Sequence, residues 1–270
     1  MTILILLLGL VLSHFLPAIG EWRRFRPWMV AIDSFSQALP RLAWSAMLGV
    51  VVLALSVTWL AGWILLGLFG LFGWLFLALV VFLYVLGPRD LDHDVGLLVD
   101  DPADMNAGEA RVALRLGQHD NAETACSRVM AAAVERWFAP VFWFVLLGPG
   151  GAMIYRLAER TLAESALDDT KARWVIRLKV VMEWPVLFLV VLAAALTTDF
   201  DRVTQAWFAH RRSRLGWVLT RGLLDDVASR LVEHGLPLEG GLSRGLELAW
   251  RMLILWLVVL SLLLLAGWLA

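Results

Sequence analysis

From Leu42 to Leu86, 45 consecutive residues include no Asp, Glu, Lys, Arg, His, Asn or Gln. A helix crossing the hydrocarbon core of a bilayer needs about 20 apolar residues, so this run supplies two passes. Gly62, Gly67, Gly70 and Gly73 stand near its middle, where glycine lets two crossings turn tightly and pack closely. Only 17% of the chain is charged, against roughly a quarter in soluble domains, which excludes a soluble globular enzyme as the reading. Fifteen Trp against two Tyr agree with this, because indole rings favour the headgroup boundary. The expected architecture is all-α and polytopic, with four to five membrane segments in a lipid bilayer.

The charge balance removes other classes. A net charge of -1 offers no basic field to draw in nucleic acid. Cys126 is the single cysteine, so there is neither an internal disulfide nor zinc or CxxC spacing. Met1 to Leu12 looks like the apolar part of a signal peptide, but it lacks a basic start and an A-x-A-like site, and is expected to be retained.

Along the chain, residues 1–41 read as an apolar segment, Thr2 to Leu16, followed by an interfacial helix with Trp22 and Trp28. Residues 42–87 are the transmembrane hairpin, with its tip near Gly62 to Gly73. Residues 88–136 are a water-exposed helical segment, clearest from Asn121 to Arg136, where Ala122, Cys126, Val129, Ala133 and Arg136 share a stripe and Asp120 is the expected N-cap. Residues 137–198 contain an apolar stretch broken by Gly148-Pro149-Gly150-Gly151, an amphipathic helix and a short apolar segment, Trp184 to Leu196, with Pro185 as an expected kink. Residues 199–251 are polar again, and 252–270 form a terminal anchor.

No Lys or Arg lies between Leu42 and Pro88, whereas four precede that interval and five follow within Pro88 to Arg136. The hairpin tip is therefore expected outside and both flanking polar segments inside. A full crossing by Trp137 to Leu157 would put the basic stretch after it outside; a re-entrant segment removes that conflict.

The break is the main candidate site. Backbone N–H groups beside Gly148, Pro149, Gly150 and Gly151 suit an anionic group, with Arg156 about one turn beyond, Tyr155 to orient the ligand and Glu159 as a candidate acid or base. The same residues also serve a kinked, packed helix. A second candidate, Asp92, His93 and Asp94, has the oxygen-rich character that holds Mg²⁺, and reads equally as an exposed acidic linker. His14, where the first apolar segment ends, is a further candidate. Arg211, Arg212 and Arg214 suit anionic headgroups or a solvated face. No motif specifies a nucleotide or metal cofactor.

The stretch Ala139-Pro140-Val141-Phe142-Trp143, then Leu147-Gly148-Pro149-Gly150-Gly151-Ala152 and Tyr155-Arg156, resembles the AmpE family, inner-membrane proteins associated with β-lactamase induction. It is more distantly similar to the cobalamin-pathway membrane enzymes CobD and CbiB. His14 to Gly20 is similar to an early element of those enzymes, and Glu183-Trp184-Pro185-Val186 to an element of AmpE. Where the cobalamin enzymes carry E-N-x-x-D-G, this chain reads Ala131 to Arg136; where they carry N-T-L-D-S-M-V-G-Y, it reads Glu159 to Ala166. The resemblance thus implies a bacterial inner-membrane modulator that binds a cell-wall-recycling ligand or a protein partner without catalysis. The alternative is a CobD- or CbiB-like ligase or transferase acting on a phosphorylated substrate, with Glu135, Glu159 or Asp92 as acid, base or Mg²⁺ ligand.

Overall fold

The computed structural model describes residues 5–6, 8–9, 12, 25–86, 90–101, 104–165, 167–213, 221–233 and 235–266. Among these residues there are helices and no strand. Four helices, Ser45–Val85, Ala122–Glu164, Asp169–Thr197 and Leu238–Leu263, are long and apolar enough to cross a membrane. The chain forms two compact units, each built from two stretches: Met1–Pro88 with Ala139–Glu183, and Arg89–Phe138 with Trp184–Ala270.

In the first unit, α1 (Arg26–Ala38) starts on Pro27 and buries Met29, Ile32 and Ser36, whose spacing of three and four puts them on one face. The sequence gives this helix an interfacial character, and it is docked as well: Trp28 Nε1 donates to the Tyr84 hydroxyl at 3.1 Å, and the Ser36 and Ser45 hydroxyls lie 3.1 Å apart.

Helix α2 (Ser45–Val85) is interrupted at Gly70, with φ 60° and ψ -145°. A Cβ on Gly62 would lie 2.7 Å from the Trp74 ring and 3.5 Å from Leu77. Residues 62 and 77 would be about 22 Å apart on a straight helix, so the chain doubles back at Gly70. The reversal falls within the Gly62 to Gly73 interval.

Helix α6 (Ala139–Glu164) repeats the device. Gly148 has φ 69° and ψ -162°, and a Cβ on Gly151 would lie 2.9 Å from the Trp143 carbonyl oxygen, a separation of about 12 Å on a straight helix. The two turns share one register. Gly73 stands three residues after its turn and presses on the Leu65 carbonyl and Phe69 Cβ, as Gly151 presses on the Trp143 carbonyl and Leu147 Cβ. The descending limb runs to Glu164, after which the Ser165 hydroxyl donates to Met29 Sδ at 3.5 Å and Lys171 Nζ to the Ser36 carbonyl at 3.4 Å. Ser165 and Lys171 thus lie beside α1, at the end of the unit opposite Gly70. The chain turns back at Gly148 rather than continuing onward.

Helix α7 (Asp169–Thr197) joins the amphipathic stretch and the short apolar segment into one 29-residue helix that runs through Pro185. At 1.5 Å per residue it is about 43 Å long.

The second unit contains α3 (Leu91–Asp100), α4 (Ala107–Ala113), α5 (Ala122–Ala133), a π-helical turn (Val134–Phe138), α8 (Phe200–Ser213), α9 (Gly222–Leu231) and α10 (Leu238–Leu265). The α5 stripe of Ala122, Cys126, Val129 and Ala133 is buried, as its spacing predicts. It meets Gly245, where a Cβ would be 2.9 Å from the Cys126 carbonyl oxygen and 2.8 Å from Val129 Cβ. Small residues on both helices allow that approach. Asn121, not Asp120, caps α5, accepting the Thr124 N–H at 2.8 Å; Asp120 instead accepts the Gly117 N–H at 2.8 Å, closing the preceding turn. The terminal helix begins at Leu238 rather than Met252, because its first turns place Arg244, Glu247 and Arg251 in ion pairs on the outer face while Leu242, Leu248 and Ala249 are buried.

Candidate functional site

The Gly148 turn combines four local requirements. The dihedrals of Gly148 fall in a region essentially reserved for glycine, and Pro149 opens the descending limb where its fixed φ and missing N–H cost nothing. Gly150 faces α2, where a Cβ would meet Leu55 at 3.1 Å and Thr58 Oγ1 at 3.2 Å. Gly151 admits the ascending limb, as above. The turn is thus packed against α2 within its own unit.

Below it lies a buried ion network. Arg156, 1% exposed, donates from Nε to the Val85 carbonyl at 2.6 Å and from Nη1 to Glu159 Oε2 at 3.0 Å. Val85 is the last residue of α2, and the last four carbonyls of a helix have no partner within it. A cation there satisfies a hydrogen bond and the negative end of the helix dipole together. Glu159 Oε2 also faces Arg160 Nε at 3.2 Å, and Arg160 reaches Glu164 at 3.4 Å. The Arg160 guanidinium lies 5.4 Å from the centre of the Phe25 ring, within cation–π range.

Tyr155 points elsewhere: its hydroxyl donates to Glu183 Oε1 at 3.0 Å, and Lys179 Nζ stands 3.7 Å from the same oxygen. The structure therefore divides the sequence candidates between two sets: Arg156 pairs with Glu159, which also faces Arg160, while Tyr155 pairs with Glu183 beside Lys179. Glu183 is buried, and the sequence signal for it is an acid standing directly before the apolar run Trp184 to Leu196. His14 lies outside the described residues.

Asp92, His93 and Asp94 splay apart. Successive residues of a helix are rotated by about 100°; Asp94 is buried and accepts from Arg136 Nη1 at 2.7 Å, Asp92 accepts from Trp250 Nε1 at 2.6 Å, and His93 is exposed. Among the described residues no three His, Cys, Asp or Glu side chains come together as a metal site. Glu135, in the π-helical turn, accepts from Arg221 Nη2 at 2.6 Å and from Arg115 Nη2 at 3.4 Å. Arg211 and Arg212 are exposed on α8, and Arg214 lies outside the described residues.

No protein-family model, curated protein or solved structure matches this chain.

Proposed function

We propose that this chain is a multi-pass protein of the bacterial inner membrane that acts as a non-catalytic modulator of the AmpE type. It influences β-lactamase induction and cell-wall recycling by binding a ligand or protein partner. The observation that carries this reading is the state of the carboxylates a catalytic mechanism would need. Glu159 faces two arginines, Glu135 faces two more, and Asp92 accepts from an indole N–H. Each of these carboxylates is thus tied to other side chains by hydrogen bonds or ion pairs, and such pairs make a rigid scaffold. The altered stretches at Ala131 to Arg136 and Glu159 to Ala166 support the same choice over a ligase.

Deleting the gene in its host and measuring β-lactamase activity after a sub-inhibitory β-lactam dose tests the reading. A severalfold change in induced activity, restored by a plasmid copy, is expected. Unchanged induction in the deletion strain refutes it, as does ATP turnover by the purified chain that disappears with Glu135→Gln.

A further inference from the structure

The second unit contains a pocket of about 70 Å³ where the end of α4, the α5 helix with its π-helical turn, and the start of α9 meet. One water needs about 10–15 Å³ of such space, so there is room for roughly five water-sized atoms, the scale of a phosphate group. Its charged and hydroxyl lining is Arg115, Ser127, Arg128, Glu135, Arg221 and Asp225, three guanidiniums against two carboxylates. Glu135 holds Arg115 and Arg221 on a single oxygen, which sets two guanidiniums side by side. Asp225 accepts the Ser127 hydroxyl. Arg128 is exposed and has no ion pair among the described residues.

The backbone at Arg115 is a second, independent observation. Its φ is 56°, the one positive value outside glycine among the described residues. It stands just past the end of α4, where Leu116 N–H bonds the Arg111 carbonyl and Arg115 N–H the Val112 carbonyl, both at 2.9 Å. That pair of bonds is the helix-ending motif whose left-handed position is usually glycine. Here the strained position instead delivers a guanidinium to the pocket. A π-helical turn at the adjoining wall is likewise a feature found often at binding sites.

We propose that this pocket binds the phosphate group of a small anionic ligand, with Arg115, Arg128 and Arg221 as its donors, guanidinium forks matching phosphate oxygens. The assignment stands on the pocket alone and does not rest on the modulator reading. The test uses the full chain in detergent, titrated with inorganic phosphate and with pyrophosphate at fixed ionic strength, with heat of binding and melting temperature as readouts. Saturable binding is expected, at least fivefold weaker in both Arg115→Gly and Arg128→Ala, while Arg115→Gly melts no lower than the parent because glycine relieves the strained backbone. A parallel arm uses nanodiscs of phosphatidylcholine or phosphatidylglycerol. Binding equal in both assigns the pocket to a free phosphate compound, and binding masked by phosphatidylglycerol assigns it to a lipid headgroup. No saturable binding in any arm, or binding indifferent to both substitutions, overturns the proposal, and a lower melting temperature for Arg115→Gly overturns the positioning role of Arg115.

Discussion

Replacing Arg156 by leucine removes the donor to the Val85 carbonyl and the nearer cation of Glu159. Breaking one side of a buried ion pair costs about 3–5 kcal/mol, because the remaining charge is left without its partner. Arg160 still faces Glu159 at 3.2 Å, so the lower end, about 3 kcal/mol, applies here. Glu159→Leu should cost a similar amount by leaving Arg156, 1% exposed, with its carbonyl partner and no nearby carboxylate from that turn. Simple addition gives about 6 kcal/mol for the double variant. With both charges gone, what remains is the Val85 carbonyl without its donor, about 1–3 kcal/mol, plus imperfect packing, so the double variant should lose about 3–4 kcal/mol. The coupling is then about 2–3 kcal/mol. Reversible unfolding in mixed micelles, followed by tryptophan fluorescence, measures all four proteins. An Arg156→Leu variant within about 0.5 kcal/mol of the parent, the range of a neutral surface change, refutes the buried network, and strict additivity refutes the coupling.

Gly148→Ala forces an alanine into a glycine-only backbone region and should destabilise by about 1–3 kcal/mol, whereas Gly67→Ala, with open space around its Cβ, should be neutral or up to about 1 kcal/mol stabilising; equal effects in the same unfolding assay would argue against a reversal at Gly148. Arg115→Gly should raise stability by about 1 kcal/mol, seen as a shift of the urea midpoint, and a destabilisation of that size would contradict the strained cap. In a Cys126→Ala background, a membrane-impermeant maleimide should label Phe72→Cys in intact cells but Ser34→Cys and Asp168→Cys only after permeabilisation; labelling of Asp168→Cys together with Phe72→Cys would mean that the Gly148 segment crosses after all.

How much of this was legible depended on the length scale of the signal. The hairpin was readable because 45 uncharged residues admit almost nothing else, and the α5 stripe because Ala122, Cys126, Val129 and Ala133 repeat at helical spacing. The break at Gly148 was readable as a break, since proline with three glycines cannot continue a helix unaided. Its likeness to the Gly70 turn has a faint signature as well: glycines at 70 and 73 and at 148 and 151 carry the same spacing. The ion network was legible only in part. Arg156 and Glu159 are one turn apart, so their pairing follows from helix geometry, but Val85 reaches Arg156, and Glu183 reaches Tyr155, through tertiary contacts at separations of 71 and 28 residues. The start of α10 was hidden for a related reason: the alternating charges near Arg244 read as part of the polar helical segment 199–251, separate from the anchor at 252–270, whereas one helix, Leu238–Leu265, carries both.

The reversal at Gly148 has a topological meaning. A stretch that crosses changes the side on which all later chain emerges, whereas a stretch that turns back leaves that side unchanged. Whether Ala139–Glu164 counts once or not at all is therefore a matter of parity, held by one residue at φ 69°. A substitution that straightened this turn would do more than disturb local packing: it would ask Lys171, Arg173, Arg177 and Lys179 to be translocated, at a cost of about 2.5–3.5 kcal/mol for each cation that entered the bilayer centre. Those four downstream cations thus guard the bend, since any misinserted chain must carry them through the hydrocarbon before it can persist.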